Sequence, residues 1–121
     1  MSIKKILVCD DSRADRTNLE TIVSGAGCVV ISATCGKDAL VKAVSEQPDL
    51  IFLDVIMPDM DGFETCRALQ NDPLTKSIPI IFVTSKGQKA DRVWAQMQGG
   101  KDLVSKPYSS EDIIAQINKI T

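Results

Sequence analysis

The sequence predicts an α/β fold: a doubly wound, five-stranded parallel sheet flanked by five helices. Three observations predict it. Short apolar runs alternate five times with segments of helical periodicity along the 121 residues. The runs are apolar at successive positions rather than at every second one, so each strand is buried on both faces, as in a parallel sheet covered by helices. Turn-forming residues, among them Gly27, Pro48, Pro73 and Pro79, fall between the segments. Right-handed crossovers then wind the chain to both sides of the sheet.

The elements follow in order. Ile3 to Cys9 reads as a first strand that stops at Asp10. Ser12, with Asp15 three residues on, is a helix N-cap signal with an acidic first turn. Leu19, Ile22, Val23 and Ala26 share one face of that helix, which Gly27 ends. Cys28 to Ala33 is β-branched and reads as a second strand. Ala39, Leu40, Ala43 and Val44 mark a second helix. Leu50 to Leu53 is the third strand, closing at Asp54. Phe63, Cys66 and Leu69 face one way on a third helix, and Ile80 to Val83 is the fourth strand. Ala90, Val93, Trp94 and Met97 define a fourth helix, on which Trp94 reads as core or half-buried. Leu103 and Val104 form a short fifth strand. Ser109 caps a last helix carrying Ile113, Ile114, Ile117 and Ile120.

The length fits one domain over 1–121, and 44% hydrophobic residues suffice for a core. A net charge of −2 without a basic run gives no general attraction to nucleic-acid phosphates or anionic membranes. The opening MSIKKILVCDD is too short in its apolar part for a signal peptide. No stretch approaches the roughly 18 apolar residues of a membrane helix, so the expectation is a cytoplasmic protein with no membrane insertion. Cys9, Cys28, Cys35 and Cys66 form no CxxC pair and read as small buried hydrophobes. The absence of histidine excludes a Ser-His-Asp triad, a Cys-His pair and a phosphohistidine carrier.

In a doubly wound sheet the functional crevice lies outside the carboxyl ends of the strands. Asp10 and Asp11 follow strand one, Asp54 strand three, Thr84 and Ser85 strand four, and Lys106 strand five. Three carboxylates, two hydroxyls and one amine therefore meet at one rim. Crowded carboxylates repel, and a hard divalent cation with oxygen ligands relieves that repulsion. A carboxylate can also act as a nucleophile and form an acyl phosphate. Phosphoryl transfer then needs neutralising charge around the phosphoryl oxygens, which a metal and Lys106 would supply, with a Thr84 hydroxyl bonding one oxygen.

The segments ILVCDDS (6–12), DLIFLDVIMPDMDG (49–62), IPIIFVTSK (78–86) and SKP (105–107) resemble, in content and spacing, the receiver domains of two-component response regulators. The resemblance runs the whole length and implies a flavodoxin-like strand order, 2-1-3-4-5. It implies Asp54 as phosphoacceptor, with Asp11, Asp54 and the Ile56 backbone carbonyl binding Mg²⁺ (or Mn²⁺) directly and Asp10 acting mainly through a coordinated water. Thr84 and Lys106 would contact the phosphoryl group, and the Lys106–Pro107 bond would be cis. It further implies a sensor histidine kinase as donor and a downstream protein target, bound on the face of helix four, strand five and helix five. Such a domain is a signalling switch rather than an enzyme, at most catalysing its own phosphorylation from small donors and its own dephosphorylation.

Several positions depart from that family. Leu103 stands where many members carry Tyr or Phe, so the switch formed by Thr84 and residue 103 is expected to differ. Ile56 and Lys86 occupy positions that affect phosphoryl lifetime, and an apolar Ile56 cannot orient an attacking water. GGKD at 99–102 replaces a usual Gly-Ala and is expected to loosen that loop. DRVWAQMQGGKDLVSKP (91–107) resembles the motility subgroup, such as regulators of type IV pilus twitching and phototaxis. With no effector domain in the sequence, the expectation is a stand-alone receiver; the alternative is a pseudo-receiver that binds partners without phosphorylation. A flavin protein of the same fold would need a Ser/Thr/Gly-rich cradle where this chain has DDSRADR. An aspartate-nucleophile phosphatase would need a DxD pair where this chain has adjacent aspartates.

Overall fold

The computed structural model describes residues 4–85 and 87–120. Five strands and five helices alternate: β1 (Lys5–Cys9), α1 (Arg13–Gly25), β2 (Val29–Ala33), α2 (Gly36–Glu46), β3 (Leu50–Leu53), α3 (Gly62–Asn71), β4 (Ile80–Thr84), α4 (Lys89–Met97), β5 (Asp102–Ser105) and α5 (Ser110–Asn118). The strands form one sheet in the order β2-β1-β3-β4-β5, and every pairing is parallel. The predicted fold class and strand order are those observed. Expected Ile3, the start of the predicted first strand, lies outside the described residues.

The two-residue alternation of side chains along a strand splits the core in two. Leu7, Cys9, Ile51, Leu53, Ile80, Phe82 and Leu103 pack on one face with Ala39, Ala43, Cys66, Leu69 and Ala95 of α2, α3 and α4. Ile6, Val8, Leu50, Phe52, Ile81, Val83 and Val104 pack on the other with Leu19, Val23, Ile113 and Ile117 of α1 and α5. Neither face is left open, which is why these strands read as unbroken apolar runs. Each fully buried Phe or Leu of this kind contributes roughly 2–3 kcal/mol.

The helix ends match their sequence signals. The Ser12 hydroxyl accepts from the Asp15 amide, and the Ser109 hydroxyl from the Asp112 amide. Asp61 caps α3 by accepting from the Glu64 amide at 2.8 Å.

Ala90, Val93, Trp94 and Met97 lie on a helix, as expected: Trp94 is half-buried, edge-on to the Phe63 ring of α3 with centroids 6.3 Å apart, and Ala95 is the residue of α4 that enters the core. The helix is held to β5 by Arg92, whose guanidinium donates to the Leu103 carbonyl at 2.8 Å. Three expectations are corrected. Ala26 is exposed, because it is the C-cap of α1 rather than part of its apolar face. Of the cysteines, only Cys9 and Cys66 are buried, whereas Cys28, just before β2, and Cys35, the N-cap residue of α2, are partly exposed.

The 99–102 turn is closely packed rather than loose. Gly99 has φ +99°, the left-handed region that glycine adopts freely. A Cβ on Gly100 would overlap the Phe82 ring, and the Gly100 amide donates to the Ala95 carbonyl at 3.0 Å.

Candidate metal and phosphoacceptor site

The rim is assembled by backbone pairing just past the strand ends. The Asp10 amide donates to the Ala33 carbonyl at 3.2 Å, the Asp54 amide to Cys9 at 3.0 Å and the Lys106 amide to Thr84 at 2.8 Å. These bonds bring together Asp10, Asp54, Thr84 and Lys106, residues separated by up to 96 positions. Thr84 is fully buried. The Lys106–Pro107 bond is cis, as expected.

Asp10 and Asp54 are buried, whereas Asp11 is exposed. One oxygen from each of the three lies within 4.8 Å of the others. Asp10 is held on two sides: its side chain accepts from the Ser12 amide at 2.9 Å, and its carbonyl from the Arg16 guanidinium at 2.9 Å. The start of α1 thus fixes the first carboxylate of the cluster.

Burial, followed by the adjacent Asp10 charge, pushes the Asp54 carboxyl up from 3.8 to about 6, even though the Lys106 ammonium pulls the other way. Desolvation opposes the charge on Lys106. Hydrogen bonds to Asp15 and Asp10 and the charges of Asp54 and Asp10 outweigh it, so the pKa stands above the ordinary lysine value. This all-oxygen acidic set, with a central carboxylate reluctant to ionise, is the donor chemistry of a hard divalent cation. The residues therefore fit Mg²⁺ or Mn²⁺.

The loop after β3 is shaped around Asp54. Asp59 takes a positive φ of 69°, and the Gly62 amide donates to the Val55 carbonyl at 2.8 Å. A Cβ on Gly62 would overlap the Asp54 carbonyl oxygen, so glycine is required by close approach and not only by turn geometry. Met57 is buried with its sulfur 3.7 Å from Cys9 Sγ, which turns Ile56 outward, 51% exposed. Burial pushes the Cys9 thiol up to about 12, so this cysteine is an inert wall of the site. Lys86 lies outside the described residues.

Sequence reasoning missed Asp15. It was legible as part of a helix start, yet its carboxylate also reaches Lys106 Nζ at 2.9 Å. The Lys106 ammonium lies 2.9 Å from Asp10, 2.9 Å from Asp15 and 3.6 Å from Asp54. No local pattern signals a contact across 91 positions.

Comparison with known proteins agrees with this geometry. Residues 6–118 match the response regulator receiver domain family. Protein PilH of Pseudomonas aeruginosa is 36% identical over 116 residues, covering 96% of each chain. Protein PilG of the same organism is 37% identical over 93% of this chain and 84% of its own. The solved structure of the chemotaxis response regulator CheY4 of Vibrio cholerae superposes with a TM-score of 0.92 at 28% identity, covering 99% of this chain and 100% of that one. No described helix is long and apolar enough to cross a membrane. The matched span includes every strand and helix but the first residue of β1, and so the chain belongs to the response regulator receiver domain family.

Proposed function

We propose that this chain is a receiver that accepts a phosphoryl group on Asp54 from a sensor histidine kinase in a Mg²⁺-dependent reaction, and thereby switches protein–protein interactions. The observation that carries the reading is the placing of Asp54: a buried carboxylate at the mouth of the central strand, between two further carboxylates and an ammonium 3.6 Å away.

In transfer from a phosphohistidine, an Asp54 oxygen forms the new P–O bond as the P–N bond breaks, and the imidazole nitrogen keeps the electron pair. Asp10, Asp11, Asp54 and the Ile56 carbonyl would hold the cation, which when bound supplies positive charge to the carboxylates and the phosphoryl oxygens. Lys106 would give the phosphoryl group its ammonium, and Thr84 its hydroxyl. Burial of Asp54 and the cap of Asp10 on α1 keep these groups in place before the donor arrives.

The output surface would be the face of α4, β5 and α5. On that face Arg92 ties α4 to the Leu103 carbonyl, and a groove runs between Arg92, Ser105, Asp112 and Gln116. Ser105 continues the link, with its hydroxyl donating to the Gly87 carbonyl at 3.4 Å. Leu103 itself is buried and has neither ring nor hydroxyl, so switching would pass through this backbone-anchored network near Thr84. The similarity to PilH and PilG favours motility signalling as the setting.

The test is incubation with acetyl phosphate and Mg²⁺, read by intact mass, beside Asp54→Asn. A metal-dependent phosphoryl mass that is lost in the variant is the expected result. No mass gain in the wild-type protein would favour the pseudo-receiver reading.

A further inference from the structure

We infer that Asp15 is a positioning residue that holds the Lys106 ammonium on the α1 side of the site and so restrains phosphoryl acceptance at Asp54. The inference rests on the function proposed above. An ammonium has three N–H donors. In this structure one is given to Asp10 at 2.9 Å and one to Asp15 at 2.9 Å, while Asp54 stands at 3.6 Å, beyond a hydrogen bond.

Asp10 and Asp15 do not hold Lys106 equivalently. The Asp10 side chain is 3% exposed and belongs to the acidic cluster, whereas that of Asp15 is 48% exposed and lies outside it. Asp15 sits in the first turn of α1, with its amide donating to the Ser12 hydroxyl and the Ser12 amide donating to Asp10. Its carboxylate is therefore aimed by the helix start itself. When an Asp54 oxygen bonds to phosphorus and the donor's bond to phosphorus breaks, Lys106 must turn toward the new phosphoryl oxygens. The bond to Asp15 is the one it can release without disturbing the buried carboxylates.

Asp15→Asn keeps shape and helix start but removes the charge that holds the ammonium. Acceptance from acetyl phosphate at saturating Mg²⁺ should speed up about fivefold, the scale that a half-exposed ion pair supports. Asp15→Glu, which restores a carboxylate within reach, should return the rate toward wild type. Asp59→Asn removes an exposed charge from the loop after β3 that makes no ion pair with Lys106, and should leave the rate near wild type.

A second readout needs neither metal nor phosphoryl donor. Proton exchange of the Lys106 ammonium, followed by NMR in the metal-free protein, should quicken several-fold in Asp15→Asn and recover in Asp15→Glu. An unchanged or slower rate of acceptance in Asp15→Asn, or an equal acceleration in Asp59→Asn, would overturn the inference. So would unchanged ammonium exchange. If the wild-type protein takes no phosphoryl group at all, the parent reading fails instead, and the exchange measurement still decides whether Asp15 holds Lys106.

Discussion

Replacing Asp54 by asparagine should stabilise the metal-free protein at neutral pH. The carboxyl is raised from 3.8 to about 6, by burial first and the Asp10 charge second. At ~1.36 kcal/mol per pKa unit, the ionised form carries a penalty of about 3 kcal/mol. Asparagine has the same shape and no charge. The attraction of Lys106, across 3.6 Å, is already contained in that net shift, and in the variant Lys106 keeps Asp10 and Asp15. A gain of about 3 kcal/mol follows, on the order of 10–15 °C in Tm for a domain of this size. The sign of the pH dependence follows from the direction of the shift. A raised carboxyl makes its favourable contribution below the unfolded value near 3.8, and that contribution is lost as pH rises through about 6. The variant should therefore match the wild type near pH 4 and pull ahead between pH 5 and 7. Urea unfolding at a series of pH values in the presence of a chelator measures this gap. Added Mg²⁺ should then raise the stability of the wild type, as binding to the folded state alone requires, and do much less for the variant. A variant that is less stable at pH 7, or a gap that does not change with pH, would refute the account of Asp54 as a buried carboxylate under repulsion.

Two further substitutions probe the loop after β3. Ile56→Asn places a hydrogen-bonding side chain at a solvent-facing position beside Asp54, the proposed acceptor, and should speed loss of the phosphoryl group several-fold, measured as decay of the phosphorylated mass after donor removal. Gly62→Ala forces a Cβ onto the Asp54 carbonyl, a backbone group that cannot swing aside. It should destabilise the protein by about 3 kcal/mol in urea unfolding and weaken Mg²⁺ binding together with it.

Much of this protein could be read from the order of its residues. Helix starts at Ser12 and Ser109 were visible because a capping hydroxyl acts on an amide three positions away. The parallel sheet was visible because burial on both faces leaves its mark on every residue of Leu50 to Leu53. Once the strands were placed, the topological rule for doubly wound sheets brought Asp10, Asp11, Asp54, Thr84 and Lys106 to one rim, and the backbone ladder delivers them there. Local periodicity placed α4 and its half-buried Trp94, which meets Phe63, but not the way the helix is held. Among the described residues Ala95 alone of that helix is buried, and the helix is anchored by Arg92.

Other properties belong to the tertiary structure. The raised pKa of Asp54 depends on how much water is excluded and how near Asp10 stands, quantities set by packing rather than by neighbours in sequence. The need for glycine at position 62 arises from a backbone passing over Asp54. The pairing of Asp15 with Lys106 joins a helix start to the end of the last strand, 91 residues apart, and exists only because the β2-β1-β3-β4-β5 sheet carries both to the same edge. Residue types and spacing determined which groups could meet at the rim. Distances of a few tenths of an ångström, which only the folded chain sets, decided which of them share the lysine's charge.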